Sequence, residues 1–122
     1  MRQIPAKPPY SILSCFVSEV VVNDNNSMIV VNPINSYSLK YILAILNSRL
    51  MSFWFIHTYG KLQRKVFPQF KVKELREFPI RVIDFDNNDE LELHNQIIAC
   101  VESLDVTGAN FAEARVSRIL CK

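Results

Sequence analysis

The sequence predicts an α/β (α+β) domain in which a small mixed sheet packs on a central apolar helix and a helical tail closes the chain. Three observations carry that expectation. Residues 12–22, ILSCFVSEVVV, and 28–32, MIVVN, are rich in β-branched and aromatic residues and flank a turn cluster, NDNN, at 23–26. From Leu39 to about Thr58, apolar residues recur at spacings of three and four. After an acidic turn, DFDNNDE at 84–90, a stripe of Leu91, Ile97, Ile98, Val101 and Leu104 marks a further helix.

The first two runs read as strands joined by a hairpin-like turn. Pro33 ends the second, and Ser36 and Ser38 are candidate N-caps for a central helix at 38–59. Leu39, Ile42, Leu43, Leu46, Leu50, Phe53 and Trp54 share one face of it and are expected in the core. Ala44, Ser48 and Ser52 repeat at every fourth position, small enough for another element to approach closely. Tyr41, Ile45, Phe55 and Ile56 leave little polar surface, so the sheet is expected to cover most of the helix. A membrane span is excluded by counting: the run from Tyr41 stops at Leu46 before Asn47-Ser48-Arg49, short of the ~18 apolar residues a span needs.

Gly60 is the expected C-cap, and a basic loop, 60–78, follows. Within KLQRKVFPQFKVKELREFPIRVI, the residues Val66, Phe67, Phe70, Val72, Leu75, Phe78 and Ile80 act as apolar anchors. A short turn or helix is expected near 72–76 and an extended piece at 79–83. Asn88 or Asp89 caps the next helix, Gly108 ends it, and NFAEARVSRILCK is a short amphipathic helix or tail. The organisation is thus a core at 1–83 and a C-terminal helical segment at 84–122.

Composition narrows the function. A chain of 122 residues, 49% hydrophobic and 21% charged, is one domain able to bury its own core. Two glycines and no G-x-G-x-x-G or G-x-x-x-x-G-K-[ST] leave no loop to cradle a nucleotide phosphate. Cys15, Cys100 and Cys121 are odd in number and widely spaced without a C-x-x-C, which predicts reduced thiols, no zinc and a cytoplasmic location. The N-terminus, MRQIPAKPPYSIL, has no apolar run of signal-peptide length.

The net charge of +2 is unevenly distributed. Residues 1–60 contribute +2 and residues 82–122 contribute −5, whereas residues 61–81 carry seven basic side chains against Glu74 and Glu77, a net of +5. Such a local positive field is what a phosphate backbone recruits, because each neutralised phosphate releases counterions. Duplex DNA is the partner this predicts. The competing expectation is a protein-interaction or oligomerisation module, a homodimer through the C-terminal helices, with the basic loop merely solvated.

Signs of catalysis are few. His57, on the apolar central helix, and His94, on the acidic one, read as satisfied structural histidines. The acids of DFDNNDELE lack the glycine and bidentate Glu of an EF-hand loop, so no metal is expected. KPPY, residues 7–10, is close to the N/D/S-P-P-Y/F signature of amino-group DNA methyltransferases, but Lys7 has no acceptor and no cofactor-binding βαβ unit precedes it.

Two spaced motifs carry a family resemblance. YILAILNSRLMSFWF, followed about 20 residues later by FKVKELREFPI, resembles the TaqI-like C-terminal specificity domain, the target-recognition module of adenine-specific DNA methyltransferases and fused restriction-modification enzymes. Leu46, Asn47 and Ser48 match its leucine-asparagine-serine signature; Leu75, Phe78, Pro79 and Ile80 match its leu-x-x-leu/phe-pro-ile segment. Specificity subunits of type I restriction systems show a related grammar. The resemblance implies a non-catalytic module that holds duplex DNA and reads base edges for a methyltransferase or nuclease domain of the same or a partner chain. S-adenosylmethionine is then expected in that methyltransferase domain and no cofactor in this chain. On the basic loop, Lys61, Arg64, Lys65, Lys71 and Lys73 are the expected phosphate contacts, and Gln63 and Gln69 the expected base readers.

Overall fold

The computed structural model describes residues 1–20, 22–31, 33, 36–60 and 69–107, the last three by backbone alone. Four helices follow in order: α1 (Leu39–Leu46), α2 (Arg49–Tyr59), α3 (Val72–Leu75) and α4 (Asn88–Thr107). The residues beyond 107, including Cys121 and the expected amphipathic tail, lie outside the described residues.

The predicted mixed sheet is absent among the described residues, where no strand forms and pairing is limited to an isolated antiparallel bridge between Arg2 and Ser27. The β-branched runs at 12–22 and 28–32 are irregular chain where described. Their composition suits a pleated surface, but a strand also needs a neighbour for its backbone and side chains. Here the neighbours are taken. The Leu13 carbonyl accepts from Arg2 N–H at 2.9 Å, Met28 N–H donates to the Met1 carbonyl at 2.7 Å, and the Met1 ammonium donates to the Met28 carbonyl at 2.8 Å. Val17, Val20, Val22, Ile29 and Val31 are left exposed. The turn between the runs is real: the Asp24 carboxylate accepts from Asn26 N–H at 3.0 Å and from Ser27 Oγ at 2.9 Å.

The single helix expected over 38–59 is two helices, bent by 60° at Asn47-Ser48. Ser38 Oγ caps α1 by accepting from Lys40 N–H at 3.2 Å. At the break, Ser48 turns extended, φ −70° and ψ 151°, and its Oγ accepts from Met51 N–H at 3.1 Å as a new N-cap. Asn47 holds the break from the side. Its Oδ1 accepts from Ser14 N–H and its Nδ2 donates to the Ser14 carbonyl, both at 2.8 Å. Ser52 Oγ, one turn on, accepts from the N–H groups of Ser11 at 3.0 Å and Ile12 at 3.4 Å. Because the axis turns here, the apolar face of α1 does not continue along α2. Leu50 and Phe53, expected in the core, are exposed at 56% and 60%.

The core therefore sits among α1, α2, α4 and the irregular chain that brings in Ile12, Phe70, Phe78 and Ile83. α4 starts where Asn87 Oδ1 accepts from Asp89 N–H at 3.0 Å, one residue before the expected cap. Its buried stripe is His94, Ile97 and Val101. The ring of His94 lies 4.8 Å from that of Tyr41 and 5.3 Å from that of Phe85. Its Nδ1 lies 3.4 Å from Asn95 Oδ1 and its Nε2 is buried with no hydrogen-bond partner among the described residues, so the structural histidine expected here is satisfied on one side only. The irregular 79–83 segment straps α1: the Tyr41 hydroxyl donates to the Arg81 carbonyl at 3.2 Å, and Ile83 N–H donates to the Tyr37 hydroxyl at 2.7 Å. A Lys40–Glu102 pair at 2.8 Å links α1 to α4.

No single helix among the described residues is long and apolar enough to cross a membrane; α1 and α2 together have that composition but are bent apart.

Two predictions test these joints. Asn47→Ala leaves both backbone groups of Ser14 without their partner and should destabilise the fold by about 2–4 kcal/mol, against about 1 for Ser48→Ala, in urea unfolding. At the far end of α2, the Tyr59 hydroxyl donates to Glu77 Oε2, which pushes the phenol up to about 12. A raised tyrosine pKa favours the folded state below about pH 10, and that contribution is lost as the pH climbs through about 12. Glu77→Gln should return the Tyr59 titration toward about 10 in a pH series of tyrosine-labelled NMR spectra; an unmoved midpoint would refute the link.

Candidate nucleic-acid interface

The basic segment begins where α2 ends and is fixed at both stems. Gly60 adopts the left-handed conformation, φ 57°, and its N–H donates to the Ile56 carbonyl at 2.9 Å. Only glycine takes that turn without strain, so the chain leaves α2 at a defined point. At the other stem Phe70 is buried. Its N–H donates to the Gln3 carbonyl at 2.8 Å, and Gln3 Nε2 donates to the Phe70 carbonyl at 3.4 Å.

An aromatic cluster joins the two stems. The Phe55 ring of α2 lies 4.2 Å from Phe70 and 5.9 Å from Phe78, and Trp54 meets Phe78 edge-on at 5.5 Å. These rings bury large areas at low entropy cost, so the span between Gly60 and Phe70 hangs from a rigid base. Lys61, Gln63, Arg64 and Lys65 lie outside the described residues.

Past Phe70, the expected helix near 72–76 is α3, closed at its start by Glu74 Oε2, which accepts from Lys71 N–H at 2.9 Å. Gln69, Lys71 and Lys73 are exposed, as is Arg76, a basic residue of the same segment that was not among the expected contacts. Lys73 and Arg76 face no carboxylate at ion-pair distance among the described residues. Arg81 differs. Its guanidinium meets Glu90 at 3.3 Å, and the Asp84 N–H together with that guanidinium holds the Glu90 carboxyl below the usual range. Arg81 is thereby tied to α4 and contributes least to an outward field.

The two signature motifs lie inside the fold. Leu46, Asn47, Ser48 and Phe78 are buried, Ile80 is half-buried and Pro79 exposed. Asn47 and Ser48 spend their hydrogen bonds on the protein's own backbone. His57 is exposed on α2 rather than set in an apolar face, and no group of three metal-ligating side chains occurs among the described residues. An apolar groove of about 470 Å³ opens between α1 and the irregular runs, lined by Phe16, Val20, Ile29, Val31, Ile42 and Leu46 among others. It holds no paired nucleophile and base.

The model of the TaqI-like C-terminal specificity domain matches residues 10–80. Over 61 residues the chain is 39% identical to a type II restriction enzyme and methyltransferase, RM.Eco57I, from Escherichia coli. That alignment covers 50% of this chain and 6% of that protein, so the chain spans a small part of its relative's length. No solved structure matches.

Proposed function

The chain belongs to the TaqI-like C-terminal specificity domain family, a non-catalytic part of restriction-modification enzymes, and on that premise we propose that it holds duplex DNA and reads base edges for an adenine-N6 methyltransferase or endonuclease domain. The carrying observation is the concentration of charge: residues 61–81 hold seven basic side chains against two acids, on a segment that leaves α2 at Gly60 and is tied into the core at Phe70 and Phe78.

The chemistry follows from the side chains. Lys61, Arg64, Lys65, Lys71 and Lys73 neutralise phosphates and fix the register of the duplex without reading sequence. Gln63 and Gln69 supply the amide that makes bidentate bonds to adenine N6 and N7 in the major groove. Base choice resides in a loop while the scaffold stays constant, so new specificities arise by changing the loop alone. The methyl transfer, with S-adenosylmethionine as donor, belongs to the catalytic domain of the longer polypeptide or of a partner chain. The apolar surface of Val17, Val20, Val22, Ile29 and Val31 supports a module that works joined to another domain.

The test is duplex binding by this chain, measured by fluorescence anisotropy from low to moderate salt. Arg64→Ala combined with Lys65→Ala should weaken binding and flatten the slope of log affinity against log salt by about 2. An unchanged affinity and slope would remove this segment from the DNA surface.

A further inference from the structure

α2 has a second face that neither the core nor the signature motifs use. Its buried side is centred on Phe55, and directly opposite, at helical spacing, lie Arg49, Phe53 and His57, with Leu50 beside them, all exposed. The rings of Phe53 and His57 are stacked, 4.0 Å between centroids and 33° between planes. His57 Nδ1 lies 2.8 Å from the Phe53 carbonyl, which can only accept, so Nδ1 carries the proton and the Nε2 edge is left for an outside partner. α2 contains no acidic residue, and Arg49 has no carboxylate at ion-pair distance among the described residues.

The stripe also leads to the basic segment. Gly60 follows His57 by three residues and Phe53 by seven, so the chain leaves α2 on the azimuth of this face. From Arg49 to Gly60 the face runs about 16 Å, close to five base-pair steps of about 3.4 Å.

Resting on the DNA-binding reading above, we infer that the Arg49–Phe53–His57 face of α2 is a second duplex-contact surface that extends the basic segment along the DNA. The charge decides the occupant. An apolar protein partner would bury Arg49 without a counter-ion, whereas a duplex supplies a phosphate for Arg49. Phe53 then meets a deoxyribose or a thymine methyl.

The experiment uses the 122-residue chain, a random-sequence duplex and the same salt series, with circular dichroism matched between variants. Arg49→Gln should weaken binding several-fold and lower the salt slope by about 0.9, and Arg49→Lys should restore the slope. Phe53→Ser, a change at an exposed site, should weaken binding several-fold at constant slope. If these variants bind as wild type while Arg64→Ala with Lys65→Ala loses affinity, this inference fails and the DNA-binding reading stands. If wild type itself does not bind at low salt, both fail. If Phe53→Ser leaves binding intact but breaks up a dimer in sedimentation velocity, the face joins two copies of the chain and the inference is overturned.

Discussion

The structure depends on one interaction, the side-chain amide of Asn47 against the backbone of Ser14. An amide with one donor and one acceptor side copies the edge of a strand, so Asn47 gives a piece of irregular chain the two bonds a sheet neighbour would have given. Around it, Ser48 supplies the cap that starts α2 and Ser52 receives two further N–H groups from the same N-terminal chain. Three polar residues are thus buried in an apolar helix region, and each is satisfied by backbone. A buried polar group costs little once it is hydrogen-bonded in this way.

The bend they create decides where everything downstream points. A straight helix through residue 47 would keep Leu50 and Phe53 on the face of Leu43 and Leu46. The 60° turn instead brings Phe55 to Phe70 and Phe78 and turns Leu50 and Phe53 to solvent. The aromatic cluster then ties both stems of the basic segment to one rigid helix, and the Tyr59–Glu77 contact adds a polar tie at the same end. The asparagine-serine pair therefore acts at a distance: buried and bonded to the protein's own backbone, it sets the angle of the helix that ends at Gly60.

Features that depend on a few neighbouring residues were legible in the sequence. The Ser38 cap, the Gly60 stop, the turn after residue 22 and the short helix beginning at Val72 are all local chemistry. The helix break was not, because Asn47 and Ser48 are compatible with a helix interior and are drawn out of it by a partner 33 residues away. His94 was left out of the apolar stripe for a related reason. Counted as polar, it interrupts the stripe of α4; counted with Ile97 and Val101, it falls at i, i+3 and i+7 and faces Tyr41. The strands were read from side chains that favour a pleated surface, but composition says nothing about whether a ladder partner is present.

Charge placement completes the division of labour. The acids of the chain are concentrated after residue 82, and the described ion pairs draw on them: Glu102 takes Lys40 and Glu90 takes Arg81, each joining α4 to the rest of the fold. Among the described residues, Arg2, Lys7, Arg49, Lys71, Lys73 and Arg76 stand in no ion pair. A chain of small net charge thereby carries a strongly polarised surface. Solvent screens charges more than about 8–10 Å apart at ordinary salt, so a phosphate backbone responds to the charges near it rather than to the net charge of the chain. Residues 61–81 carry a local +5 against the overall +2, and of their bases Arg81 is already paired with Glu90.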